Sequence, residues 1–148
     1  MSEIKVDNLT GKTSAGNITV TSEGGAATQS LQQGLAKAWI FFNGIGTVSV
    51  NDSLNISGVT DNATGSFTPA FLNSFSSVNY APVCSPVNEL AHPRGVAGLG
   101  VAINGDNTFM DMTASQVRLN HNYGSSSTSN GGALDGYGNF ATFMGDLA

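Results

Sequence analysis

His92, before Pro93, and His121, between Asn120 and Asn122, are the chain's two histidines. No Asp or Glu stands at a spacing from either that suggests a catalytic triad or a metal cage. His92 reads as loop, and His121, at the end of a predicted strand, reads as a surface or interface histidine. A pair of carboxylates flanking a sugar bond is the arrangement of glycan hydrolysis. Asp106 and Asp111 flank a predicted hairpin strand, and Asp52, Asp61 and Asp135 fall in other turns. Aspartates in turns commonly hydrogen-bond nearby backbone, so these read as structural. Cys84 is a lone cysteine, which excludes an internal disulfide and offers no thiolate set for zinc. Its alternation with Tyr80 and Pro82 marks it as a buried strand thiol.

The glycines at Gly44-Ile45-Gly46 and from Gly95 to Gly100 are followed by no helical pattern that would supply a dipole for phosphate. Glycine there suits close backbone approach instead. Asn8, Asn17, Asn55 and Asn62 each fit the glycosylation pattern, which is common in an Asn- and Thr-rich chain and reads as composition. The expectation is a protein with no catalytic residue, no metal and no cofactor. Tyr123 and Tyr137 bracket the Gly/Ser-rich run at 124–132, and an aromatic beside a polar loop can stack on a sugar ring. They are the candidate glycan contacts.

These residues must be positioned by strands. From Trp39 onward the apolar period is two: Trp39 and Phe41 point one way, Ile40 and Phe42 the other, and both faces are apolar, as in a strand covered on two sides. Val48 and Val50 alternate with Thr47, Ser49 and Asn51. Further short strands are predicted at 54–59, 66–72, 78–85, 95–104, 108–113, 116–120 and 139–144, with an Asn104-Gly105 hairpin turn. About eight such strands imply an all-β, antiparallel β-sandwich or jelly roll. The aromatics Trp39, Phe41, Phe42, Phe67, Phe71 and Tyr80 are expected in its core.

Ahead of the sandwich, over 38–148, lie two smaller pieces. Residues 1–26 read as a hairpin arm with strands at 4–9 and 17–21, carrying Ile4, Val6, Leu9, Ile18 and Val20; a lone hairpin is marginal in water and must lie on something else. Residues 27–37 read as one short helix, with Leu31, Leu35 and Ala38 at i, i+4 and i+7. That stripe, with Trp39, is the expected trimer interface.

Charge is the abnormal quantity: 10% of residues are Asp, Glu, Lys or Arg, against about 25% in an ordinary soluble domain. A neutral polar surface suits faces covered by neighbouring subunits, where each charge would need pairing or dehydration. The net charge of −5 and the scattering of Lys5, Lys12, Lys37, Arg94 and Arg118 argue against nucleic acid and anionic membranes. No stretch approaches the ~18 apolar residues of a membrane span, and no signal segment opens the chain, so synthesis in a cytoplasm without a cleaved leader is expected.

Lys37-Ala38-Trp39, Phe42 to Thr47, Ser53 to Ser57, Asp61 to Gly65 and Asn79 to Ala81 together form a pattern that resembles a module of tail fibre and other virion proteins of marine bacteriophages. The stretch from Ser2 to Thr21 is similar to the segment that often precedes the module. Ile40-Phe41 stands where the module is more polar, which hints at extra covering. The resemblance implies a virion structural protein, made in the host cytoplasm and located in the particle. The expected form is a homotrimer that joins other virion proteins through its arm and presents a tail fibre or knob to host glycans. A capsid decoration protein is the alternative, and a carbohydrate-binding module a second one.

Overall fold

The computed structural model describes residues 3–14, 18–87, 97–103, 111–123 and 132–148. His92, Arg94, Asp106, the Asn104-Gly105 turn and most of the 124–132 run lie outside the described residues. The chain divides into two compact units, Met1–Leu35 and Ala36–Ala148.

In the first unit β1 (Thr19–Thr21) pairs antiparallel with β2 (Thr28–Ser30), Thr19 opposite Ser30. The predicted hairpin between 4–9 and 17–21 is not the one formed. Gly25, at φ 70, turns the chain back, its N–H donating to the Ser22 carbonyl at 2.8 Å, and Ser22 N–H donates to Ala27 O at 2.9 Å. The β-branched run Thr19-Val20-Thr21 therefore meets Thr28-Gln29-Ser30 first. Ile4, Val6 and Leu9 lie outside any strand and are exposed, as is Val20.

This pairing also shortens the helix predicted over 27–37. α1 spans Leu31–Gly34, with Ser30 as its N-cap, and Leu35 is already extended at φ −99, ψ 142. Strand pairing of 28–30 removes the first turn that the apolar spacing had implied. One turn of helix has no stability of its own.

The second unit is a sandwich of two antiparallel sheets. One has the order β4 (Ser49–Leu54), β3 (Ala38–Asn43), β11 (Asn139–Met144), β7 (Ala81–Pro86). The other runs β10 (Gly132–Ala133), β9 (Leu119–Tyr123), β6 (Ser66–Phe71), β5 (Ile56–Ala63), and β8 (Ala97–Val101) pairs the remaining edge of β9. The sequence thus gives an all-β antiparallel fold, as its alternation predicts.

The inner faces meet through aromatic rings. Phe42 of β3 and Phe67 of β6 stand edge to face at 5.2 Å, and Phe71 of β6 meets Phe143 of β11 at 5.1 Å. Phe75 and Tyr80 stack at 4.5 Å and close one end of the cluster. Phe42, Phe67 and Phe143 are fully buried, each contributing about 1.5–3 kcal/mol by leaving water. The Tyr80 hydroxyl, 3.0 Å from the carbonyls of Thr113 and Gln116, donates to them, so the ring buries its body without stranding its polar end.

Two sequence expectations are corrected here. Ala38 is 0% exposed within this unit, at the start of β3 rather than on a helix, so it belongs to the core and is closed to a sister copy. Trp39 and Phe41 leave the core set. Strand alternation buries Ala38, Ile40 and Phe42, so Trp39 and Phe41 point outward and are only half-buried.

Candidate functional site

The outward face of the four-stranded sheet is built by register. Trp39 lies opposite Leu54 on one side and Thr142 on the other, and Thr142 lies opposite Val83. The next outward row runs Asp52, Phe41, Phe140, Ser85. Phe41 and Phe140 stack with centroids 4.3 Å apart and planes within 8°. Gly138 continues the face, because a Cβ there would meet both Val87 and Phe41. Leu54, Val83, Val87, Phe140 and Met144 are exposed on this unit. One stacked aromatic pair, with Trp39 and these aliphatic side chains, thus sits on the outside of a sheet whose inside is already packed. The sequence showed both faces of β3 to be apolar; it could not show that one remains open.

The outward face of the five-stranded sheet has the opposite chemistry. Val117, Leu119 and His121 point into the sandwich, leaving Arg118, Asn120 and Asn122 in a row outside. Opposite that row on β8 stand Gly98, facing Asn122, and Gly100, facing Asn120. On the other side Ser66 of β6 faces Asn120 and Ala133 of β10 faces Asn122. Two depressions result, one of about 170 Å³ between the row and the 64–66 turn, one open and about 530 Å³ over the glycines. Arg118 Nη2 is 2.7 Å from Asp111 Oδ2, so its charge is compensated. This row was not among the residues singled out from sequence; the Gly-x-Gly of β8 facing Asn-x-Asn of β9 was its signal.

His121, Asp135 and Asp52, weighed for chemistry from the sequence, make structural contacts. His121 is 1% exposed, its N–H donating to Gly65 O at 2.7 Å and its carbonyl accepting from Leu134 N–H at 3.0 Å; it is an interior residue, not the surface or interface histidine expected. Gly136 is required beside it, since a Cβ there would run into the imidazole. Asp135 Oδ1 accepts from Gly65 N–H at 2.6 Å and pins the turn between β5 and β6. Asp52 Oδ1 accepts from Ser53 N–H at 2.8 Å. Among the described residues no group of three or more His, Cys, Asp or Glu side chains converges to hold a metal. Cys84 faces inward against the core, and burial pushes its thiol up to about 11. Among the described residues no helix is long and apolar enough to cross a membrane.

Of the two candidate glycan contacts, Tyr123 ends β9 with its ring over Gly132, and Tyr137 is 61% exposed in the connection before β11. Leu31 is half-buried and Leu35 exposed within the first unit. No family model, curated protein or solved structure matches the chain.

Proposed function

We propose that this protein is a structural component of a bacteriophage particle. In this reading it is a homotrimer held to other virion proteins by its N-terminal residues, with the sandwich projecting as a tail fibre or knob toward the host. The observation that carries it is the outward apolar face centred on Trp39, Phe41 and Phe140, in a chain with 10% charged residues. Such a face is stable in water only at the expense of exposed apolar area, and covering it by sister copies recovers about 25 cal/mol per Å². On the sandwich the interface is accordingly drawn over Trp39, Phe41, Leu54, Val83 and Phe140, with Ala38 excluded; Leu31 and Leu35 are trimer contacts of the first unit taken by itself. Exposed Ile4, Val6, Leu9 and Val20, with half-buried Ile18, supply the apolar side chains for attachment to a partner.

Light scattering on the eluting peak of a size-exclusion column tests the assembly. A mass of three chains at micromolar concentration is expected, with a shift to one chain in the double variant Trp39→Ser, Phe140→Ser. A wild-type monomer at that concentration counts against the oligomer. The exposed apolar arm favours one second reading, a decoration protein clamped onto a shell. Copy number relative to the major capsid protein separates the two, since a decoration protein approaches the capsid protein in abundance and a fibre does not.

A further inference from the structure

We infer that the outward face of β8 and β9 is a binding site for a neutral carbohydrate, with the Asn120 and Asn122 carboxamides as its recognition row and Gly98 and Gly100 as its floor. The glycines point to it first. In a strand interior glycine gives up backbone entropy and side-chain packing, and it is usually kept for a positive φ or because a Cβ would clash. Neither reason holds at Gly98 or Gly100: neither has a positive φ, and among the described residues nothing lies within 4 Å of where a Cβ would stand. Two alternate outward positions are therefore bare although nothing among the described residues demands it. What they create is the open depression of about 530 Å³ beside the amide row.

The groups on the row define the ligand. Each carboxamide carries both donors and an acceptor in one plane, which matches the vicinal hydroxyls of a sugar. Arg118 Nε and Asn120 Oδ1 are shielded from solvent and have no hydrogen-bond partner among the described residues, so a ligand reaches this unmet capacity only as the two side chains turn toward it. Arg118 is neutralised by Asp111, which favours an uncharged ligand over an anionic one. Ser66 and Thr64 add hydroxyls around the smaller depression, whose 170 Å³ equals roughly six water volumes of about 30 Å³. Ile103, 53% exposed at the rim of the larger depression, offers an apolar contact to a sugar C–H face. A protein partner would need large apolar anchors; those stand on the opposite sheet. The site deepens the attachment part of the proposed function and stands or falls separately from the oligomer.

The test is titration of the isotope-labelled full chain with methyl glycosides of glucose, galactose, mannose and N-acetylglucosamine, with glucuronic acid as the charged comparison, followed by amide NMR. Saturable shifts confined to the β8–β9 face, including the side-chain amides of Asn120 and Asn122, are expected from at least one neutral sugar. Gly100→Val fills the floor and should weaken that binding at least tenfold while unfolding at no lower temperature than wild type. Asn122→Ala, at an exposed position, should weaken it comparably and guards against a misfolded valine variant. No shift from any neutral sugar at tens of millimolar, shifts located elsewhere, shifts from glucuronic acid alone, or binding undiminished in both variants would overturn the assignment. A monomer that binds sugar refutes the trimer and leaves this site standing; a trimer that binds none does the reverse.

Discussion

Asn55 and Asn73 clasp each other where the chain passes from one sheet to the other. Asn55 Oδ1 accepts from Asn73 N–H at 2.7 Å and from Asn73 Nδ2 at 3.0 Å, while Asn55 Nδ2 donates to the Asn73 carbonyl at 3.0 Å. Asn55 sits at φ 57, between β4 in one sheet and β5 in the other. A left-handed residue costs about 1–2 kcal/mol unless it is Gly or, to a lesser degree, Asn or Asp. Asn55→Ala should lose both the tolerance and the clasp, about 2–3 kcal/mol by urea unfolding. Asn55→Gly keeps the conformation and should lose about 1 kcal/mol. Equal losses in the two variants would mean that the backbone angle carries no part of the effect.

Gly65 and Gly46 form a matched pair, both at φ +68. A Cβ on Gly46 meets no heavy atom within 4 Å among the described residues, whereas on Gly65 it would strike the His121 carbonyl and come within 2.7 Å of Leu134 N. Gly46→Ala should cost only the backbone strain, about 1–2 kcal/mol. Gly65→Ala should cost at least about 2 kcal/mol more, because backbone on both sides must shift. Thermal unfolding of the two variants side by side measures the difference.

Burial raises the Cys84 thiol from its usual 9.0 to about 11, and raises the Tyr80 hydroxyl as well. A folded pKa above the unfolded one means that the native state holds its proton longer. The stability from the neutral thiol is complete below pH 9 and is lost as pH rises from about 9 through about 11. Urea midpoints should therefore fall across that window, and Cys84→Ala should fall less steeply. Native Cys84 should also react with an aromatic disulfide at pH 8 far more slowly than the unfolded chain does.

The Arg118–Asp111 pair is partly exposed, at 24% and 44% of the two side chains, so its contribution to stability is small. Asp111→Asn should lower stability by about 0.5–1 kcal/mol, with the loss shrinking in high salt. The larger consequence is chemical: the variant frees the Arg118 charge beside the amide row. Its preference in the sugar titration should move toward glucuronic acid.

The period of two along β3 and β11 made the sandwich readable, because each strand's inner face is set by residues two apart. The same local rule gave the buried ranks of Phe42, Phe67, Phe71 and Tyr80 and the strand at 139–144. What local pattern lacks is the partner. Whether Trp39 faces a second layer or water depends on elements a hundred residues away. Residues 28–30 carry a helix-compatible spacing that strand pairing across the Gly24-Gly25 turn overrides. Asn55 reads in sequence as one more polar residue in a ribbon, and only the sheet change reveals it as a corner. The amide row escaped notice for a related reason: Asn and Gly are common in this chain, and their meaning comes from lying opposite each other on paired strands.

The first strand of the sandwich and its last are antiparallel neighbours: Ala38 lies across from Phe143, and Lys37 N–H donates to Phe143 O at 2.9 Å. Tension applied between the two ends of this unit would therefore peel β3 from β11 one rung at a time, the weakest way to load a ladder. An anchor that holds the unit through one end alone would leave that ladder unloaded.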